Sequence, residues 1–274
     1  MPGSLQSEAR LEFRHDAARG RSVLHRRRAG GLCHLSKPYW NGEVLAAQLV
    51  NPTAGIFAGD EMRMRVRVGA GARVALTSPS ATRFHTMAGG RARIDQEFTV
   101  ESGAWFDYRP QWIIPQGGSE VEQATRLHVA AGAQVAFFDL LAPGRVAHGE
   151  SHAYRRLLTT TEVRRGGELV AWERMDLSPA LGGWPLTVPG WETCFYGAAW
   201  LVGSPGTGGA ESLAPVERDL EGPGVRCGVT QLAEDVAVVR ILAARSLLLC
   251  KALAAVRTSL AARWPFLNTD LRQP

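Results

Sequence analysis

Near the middle of the chain, three side chains that can bind metals alternate: His148, Glu150 and His152. In an extended segment they would share one face, at about 6.6 Å per two residues. Imidazole with carboxylate suits a borderline divalent metal such as nickel. A solvated strand face has the same alternation, so spacing alone leaves both readings open. Five carboxylates, Asp60, Asp139, Glu150, Glu173 and Asp176, sit near the ends of apolar runs. Two of them could form an acid/base pair of the kind glycosidases carry on β scaffolds. Nucleophilic and nucleotide chemistry find no support. There is no GxSxG or HExxH, and segment 51–60 is neither a P-loop nor GxGxxG. A Schiff-base lysine would have to be Lys37 or Lys251, the two lysines of the chain.

These residues need strands to position them. Residues 62–68, Met-Arg-Met-Arg-Val-Arg-Val, alternate without a fault, with one apolar and one cationic face. A Gly turn and a second apolar run follow, and the same unit recurs around Gly71, Gly103, Gly132 and, more loosely, Gly167. The spacings of 32, 29 and 35 residues predict stacked β layers. Their irregularity leaves a sandwich open. The expected fold is mainly β: a β-helix-like body, solenoid or sandwich, with a C-terminal α-helix or helix pair. It is read as one domain over 1–274. A loose tail covers 1–8, and the β body covers 9–229 with a long loop at about 203–223. A helical region covers 230–264. Leu11–Phe13 and Val23–Leu24 predict an N-terminal hairpin. Thr230 as N-cap, Glu234 and Asp235 in a first turn, and the spacing of Val236, Val239, Ala243, Leu247, Cys250 and Leu253 predict the helix, ending near Arg263 before Pro265. The helix packs on the β body, with Cys250 as a core residue. Val236, Val239, Arg240 and Leu247 are its candidate contacts to a partner chain.

Composition narrows the function. The 274 residues carry a net charge of +5, but residues 1–28 alone hold an excess of +4, leaving +1 for the other 246. The basicity therefore belongs to one hairpin and argues against a nucleic-acid-binding body. The four cysteines, Cys33, Cys194, Cys227 and Cys250, form no CxxC pair, so neither a disulfide framework nor a structural zinc site is expected. The first thirty residues lack an apolar signal-peptide core, and the longest uncharged run is broken by Gly and Pro. A cytoplasmic, soluble chain is the expectation.

Four motifs in order carry a resemblance. They are Asn51-Pro52-x-x-Gly55-x-x-x-Gly59-Asp60, Thr77-x-Pro79-x-x-Thr82-Arg83-Phe84, Trp112-Ile113-Ile114-Pro115 and Gly144-Arg145-x-x-x-Gly149-Glu150. Together they resemble the urease accessory protein UreD (UreH) family from about Leu11 to Asp176. Val239-Arg240-Ile241-Leu242 resembles the family's Val-Arg-Tyr-Leu. The resemblance implies a non-enzymatic scaffold or chaperone. It would bind urease apoprotein and, with UreF and the GTPase UreG, mediate nickel insertion. Nickel would pass through without a stably bound cofactor. On this reading Asp60, Asp139, Glu150, Glu173 and Asp176, with His148 and His152, are candidates to line an internal route. Asn51, Pro52, Gly55, Gly59, Thr82, Arg83, Arg145 and Gly149 would support the fold or orient the acids. Ala54 and Ala58 stand where relatives often carry Gly. The alternative reading is a β-scaffold hydrolase using a carboxylate pair.

Overall fold

In a computed structural model, described over residues 4–182, 186–203, 209–261 and 264–271, the alternation in the sequence becomes two facing sheets. A hairpin opens the chain, β1 (Gln6–Asp16) and β2 (Arg21–Ala29), and β3 (His34–Leu35), β4 (Tyr39–Asn41) and β5 (Val44–Val50) follow. Three coils come next. The first is β6 (Glu61–Val68), β7 (Arg73–Thr77) and β8 (Thr82–Phe84). The second is β9 (Ala92–Val100), β10 (Trp105–Arg109) and β11 (Ile113–Pro115), and the third is β12 (Glu120–Val129) and β13 (Gln134–Leu141). The chain continues through β14 (Arg156–Arg165), β15 (Glu168–Leu177), β16 (Phe195–Val202), α1 (Gly209–Leu220), β17 (Val225–Ala233), β18 (Val236–Ala243) and α2 (Ser246–Ala261).

Each coil puts its first strand in one sheet and its second in the other, so like strands stack in parallel. The first sheet has the order β15-β14-β12-β9-β6-β1-β2, and the second follows β17-β18-β16-β13-β10-β7-β5-β3. The body is mainly β and solenoid-like. The corners explain the recurring glycines. Gly71, Gly103 and Gly132 have φ of 67°, 67° and 75°, a region open chiefly to Gly. The turns around them stack through main-chain bonds such as Trp105 N–H to Ala72 O (2.8 Å) and Gln134 N–H to Ala104 O (2.9 Å). A Cβ on Gly103 would meet nothing closer than 3.9 Å, so backbone conformation, not space, demands Gly there.

The fourth copy departs from this pattern. Gly166 and Gly167 both have positive φ (58° and 94°), and the chain reverses into the hairpin β14–β15 within one sheet. β15 therefore becomes an edge strand beside the interior.

Two apolar layers result. Phe98, Phe106, Tyr108 and Phe137 pack between the sheets, with ring centroids 4.9–6.2 Å apart. The outer face of the second sheet is covered by α1, α2 and the segment around Phe266. Asp107 of β10, fully buried, ties α2 down. It accepts from Arg257 Nη1 and Nη2 (2.9 and 3.0 Å) and lies 3.1 Å from Arg109 Nε.

The expected N-terminal hairpin is present. Its arginines face solvent beside acids, for example Arg28 with Glu8 and Arg26 with Glu12, both at 3.2 Å. Of the expected loose tail, Gln6 onward is strand, and Ser7 Oγ accepts from Leu32 N–H at 2.8 Å. Residues 1–3 lie outside the described residues. The loop expected at about 203–223 contains α1, which lays Leu213 and Val216 on the second sheet. Residues 204–208 of that loop lie outside the described residues.

The helix expected from Thr230 is corrected. Residues 225–243 form the hairpin β17–β18, Glu234-Asp235 lies in its turn, and α2 starts only at Ser246. The reason is physical. β18 is covered on both faces, Val236 and Val238 by the inter-sheet core, Val239 and Ile241 by the helical layer. A strand buried on both faces is apolar throughout, so a helical period can be drawn through it. Cys250 also departs from expectation, because it is exposed on α2. The expected end at Arg263 lies outside the described residues. Among the described residues, no helix is long and apolar enough to cross a membrane.

Candidate functional site

The inner face of the first sheet is not uniformly apolar. Cross-strand register places Gln96 of β9 beside Thr125 of β12, Thr125 beside Thr161 of β14, and Thr161 beside Glu173 of β15. Gln123 pairs with Thr159 in the adjacent row. Gln96, Gln123, Thr125 and Thr161 are buried. Stacked coils repeat one register, so inward polar positions on successive strands line up as a polar strip across the core. From the opposite sheet, Asp139 of β13 pairs with Ala198 of β16, which pairs with Arg240 of β18.

Two internal cavities meet at Asp139. One, of about 30 Å³, is bordered by Thr159, Thr161, Glu173 and Tyr196. The other, of about 60 Å³, is bordered by Thr82, Gln96, Tyr108 and Gln111. Gln123 and Asp139 belong to both. At 10–15 Å³ per water, these spaces suit a short file of waters or a partly hydrated ion.

The electrostatics differ along this passage. No side-chain hydrogen bond to a described residue stabilises the Asp139 carboxylate. Burial, and secondarily the charge of Glu173, push its pKa up to about 7. Glu173 accepts from Arg240 Nε at 2.9 Å and also from Arg240 Nη2. This pair joins an edge strand of one sheet to an inner strand of the other. The Arg240 guanidinium lies 5.7 Å from the Trp200 ring and interacts with Tyr196.

The other expected acids do not join this cluster. Asp60 is 3% exposed and clasps the first strand: Oδ1 accepts from Leu5 N–H and Oδ2 from Phe57 N–H, both at 2.8 Å. Glu150 accepts from Arg145 Nε and Gly117 N–H, each at 2.9 Å, and these bonds hold its pKa down at about 2. Asp176, on the outer face of β15, accepts from Arg156 (2.8 and 2.7 Å) and Arg174 (2.8 Å), and its pKa is likewise lowered to about 2.

The alternation of His148, Glu150 and His152 does not produce a shared face. His148 ends a 3₁₀ turn, Gly149 follows at φ 72°, and His152 itself has φ 54°. His148 is exposed, while His152 turns inward beside Tyr154, ring centroids 6.1 Å apart. Among the described residues, no three His, Cys, Asp or Glu side chains are grouped to hold a metal ion.

The motif residues hold the loops at the coil ends. Asn51 Oδ1 accepts from Thr53 N–H (3.0 Å) and Thr53 Oγ1 (2.8 Å), a local turn that Pro52 sits within. Gly55 is required by a close approach, since a Cβ would lie 2.7 Å from Arg83 O. Gly59 has φ 84° and donates to Arg91 O. Thr82 borders the larger cavity, Arg83 points to solvent beside it on β8, and Arg145 holds Glu150. Of the four residues expected to reach a partner from a helix, Val236 and Val239 are buried in β18 and Arg240 pairs with Glu173. Leu247, on α2, is 64% exposed.

Gln96, Gln123, Thr161 and Tyr196 were not singled out in the sequence. The available signal was a neutral polar residue at an inward strand position, as Gln96 is between Ile94 and Phe98.

Comparison with known proteins agrees with the four-motif resemblance. A family model described as "UreD urease accessory protein" matches residues 6–272. The urease accessory protein UreD of Opitutus terrae is 39% identical over 246 residues, covering 88% of this chain and 89% of that protein. That of Cupriavidus pinatubonensis is 33% identical over 250 residues, covering 88% and 84%. That of Deinococcus radiodurans is 31% identical over 190 residues, covering 69% and 68%. With the family model spanning β1 to α2 and a relative 39% identical over 88% of the chain, the chain belongs to the UreD family of urease accessory proteins.

Proposed function

We propose that this chain is a non-enzymatic scaffold in the cytoplasm. It binds urease apoprotein and, together with UreF and UreG, hands Ni²⁺ to the urease active site through the passage between its sheets. One observation carries the reading: an ionisable carboxylate, Asp139, stands where two internal cavities meet, with Glu173 at the β15 side. Among largely apolar walls, the oxygen donors near it are hydroxyls, amides and the single carboxylate of Glu173. Sparse oxygen donors of this kind hold a borderline cation weakly, which suits passage better than storage. Asp139 titrates near neutral pH, so it can take up and release positive charge without a large energetic step. Nickel is cargo here, with no resident cofactor.

The hydrolase reading is not retained. The two cavities at the Asp139–Glu173 carboxylates, about 30 and 60 Å³, are far below the ~300 Å³ of a small-molecule pocket, and the cavity of about 810 Å³ outside the second sheet is lined by neither of these acids.

The test expresses the urease subunits with the full accessory set and replaces this chain by Asp139→Asn or by Asp139→Asn/Glu173→Gln. Nickel per purified urease should fall about tenfold, the effect of ~1.4 kcal/mol on a rate-limiting passage. Pull-down of this chain with urease should be unchanged. Normal nickel loading by the double variant refutes the passage role.

A further inference from the structure

Two arginines tie the edge of the first sheet to the second, and they are built differently. Arg165 of β14 reaches Asp235 with Nε at 2.7 Å and also donates to the main-chain carbonyls of Ala130 and Ala133. Its side chain is 16% exposed, so it acts as a fixed rivet. Arg240 reaches Glu173 from β18, yet no main-chain carbonyl among the described residues accepts from it. Its side chain is 37% exposed and that of Glu173 is 25% exposed. The guanidinium already lies over the Trp200 face, 5.7 Å from the ring, while it holds Glu173, so a second contact keeps the cation near the mouth when the Glu173 pair opens. Glu173 borders the smaller cavity and Asp139 lies at its inner end.

We propose that Arg240 is a tethered cation that closes the Glu173 mouth of the passage and is displaced when a divalent cation enters. The proposal rests on the transit reading above and adds its gate. With Arg240 docked, the mouth presents at most one uncompensated carboxylate. With Arg240 released from Glu173 and held by Trp200 alone, Glu173 and Asp139 together present two, a match for a divalent ion and an excess for a monovalent one. Displacement then favours divalent over monovalent cations, because only a doubly charged ion recovers what breaking the Arg240–Glu173 pair costs. The empty passage also avoids leaving Glu173 uncompensated in a half-buried seam.

The test is Ni²⁺ titration of the full chain by calorimetry. Arg240→Gln and Arg240→Ala should each tighten Ni²⁺ binding about tenfold over wild type, a change of ~1.4 kcal/mol. Adding Glu173→Gln should remove the gain. Millimolar guanidinium chloride should weaken Ni²⁺ binding to Arg240→Ala, by occupying the vacated position, and leave wild type unaffected. Unchanged or weaker binding in the single variants overturns the gate. So does tightening that survives Glu173→Gln or ignores guanidinium, because the ion then binds elsewhere. If the variants do not fold, wild type supplies the measurement. The Arg240 ¹⁵Nε–¹H resonance should move toward the free-arginine position on adding diamagnetic Zn²⁺, and a stationary resonance overturns the proposal. The two readings fail separately. If Asp139→Asn blocks nickel loading while Arg240→Gln binds Ni²⁺ like wild type, transit stands and the gate falls. If Asp139→Asn loads urease normally, transit falls whatever Arg240 does.

Discussion

Acids at the coil ends and acids in the seam between the sheets are the same residue types put to opposite uses. Asp60, Glu150 and Asp176 are each met by two or three N–H donors. No side chain among the described residues donates to Asp139, which burial raises in pKa, and Glu173 has one arginine that reaches it across the seam. A carboxylate surrounded by donors is fully ionised and spent on structure. One without donors, like Asp139, has its ionisation pushed up toward neutral pH. Position along the repeat does not separate the two groups, but their hydrogen-bond partners do.

The largest test of this contrast lies at Asp107, the most completely clasped acid. Asp107→Ala leaves Arg257 without its carboxylate and Arg109 without the stronger of its two, and should cost about 3–5 kcal/mol in urea unfolding. A loss below ~1 kcal/mol would show that clasped acids matter less to the fold than their geometry indicates. Asp60→Ala strands two amides, those of Leu5 and Phe57, and should cost about 2–3 kcal/mol. Nickel loading per folded molecule should not change. A folded Asp60→Ala chain that fails to load nickel would move Asp60 into the route.

For Asp139→Asn the sign reverses. In the native state the Asp139 pKa is raised to about 7, above its ordinary value near 4. The unfolded chain therefore loses this proton first as pH rises, and native stability falls between about pH 4 and 7. Removing the ionisable group should raise stability by up to about 4 kcal/mol at pH 8 and leave it nearly unchanged at pH 4, read as urea midpoints at the two pH values. A variant less stable than wild type at pH 8 would place Asp139 among the clasped acids. Glu150→Gln and Asp176→Asn are the smallest effects. Both pKa values are lowered, so their contribution is present above the ordinary carboxylate range and disappears as pH falls toward about 2. Their partly exposed arginine pairs limit the cost to under about 1 kcal/mol at pH 7. Acid unfolding curves of wild type and variant should converge near pH 2.

The stacked β body was legible because its causes are local. Alternation in residues 62–68 sets the two faces of β6, and Gly71, Gly103 and Gly132 mark corners whose positive φ few other residues accept. The misread elements are those where local pattern and environment part company. Residues 236–243 carry apolar side chains on both faces because a helical layer and a second sheet cover them. Gly166 and Gly167 look like another corner, yet two consecutive positive φ values turn the chain back on itself. His148, Glu150 and His152 alternate in sequence, but Gly149 and the φ of His152 break the extension that would align them.

The site divides in the same way. Family membership rests on motifs that occupy the coil ends, and those motifs mostly build the loops. The seam is assembled from β9, β12, β13, β14, β15, β16 and β18, from Gln96 at one end to Arg240 at the other. By itself, the sequence determined the strand faces, the glycine corners and the family, all of which depend on neighbours a few residues apart or on motif order. Only the tertiary structure decided which acids are clasped and which border the cavities between the sheets. A carboxylate's charge state and purpose are set by donors and dielectric supplied from distant strands, and strand pairing alone brings those together.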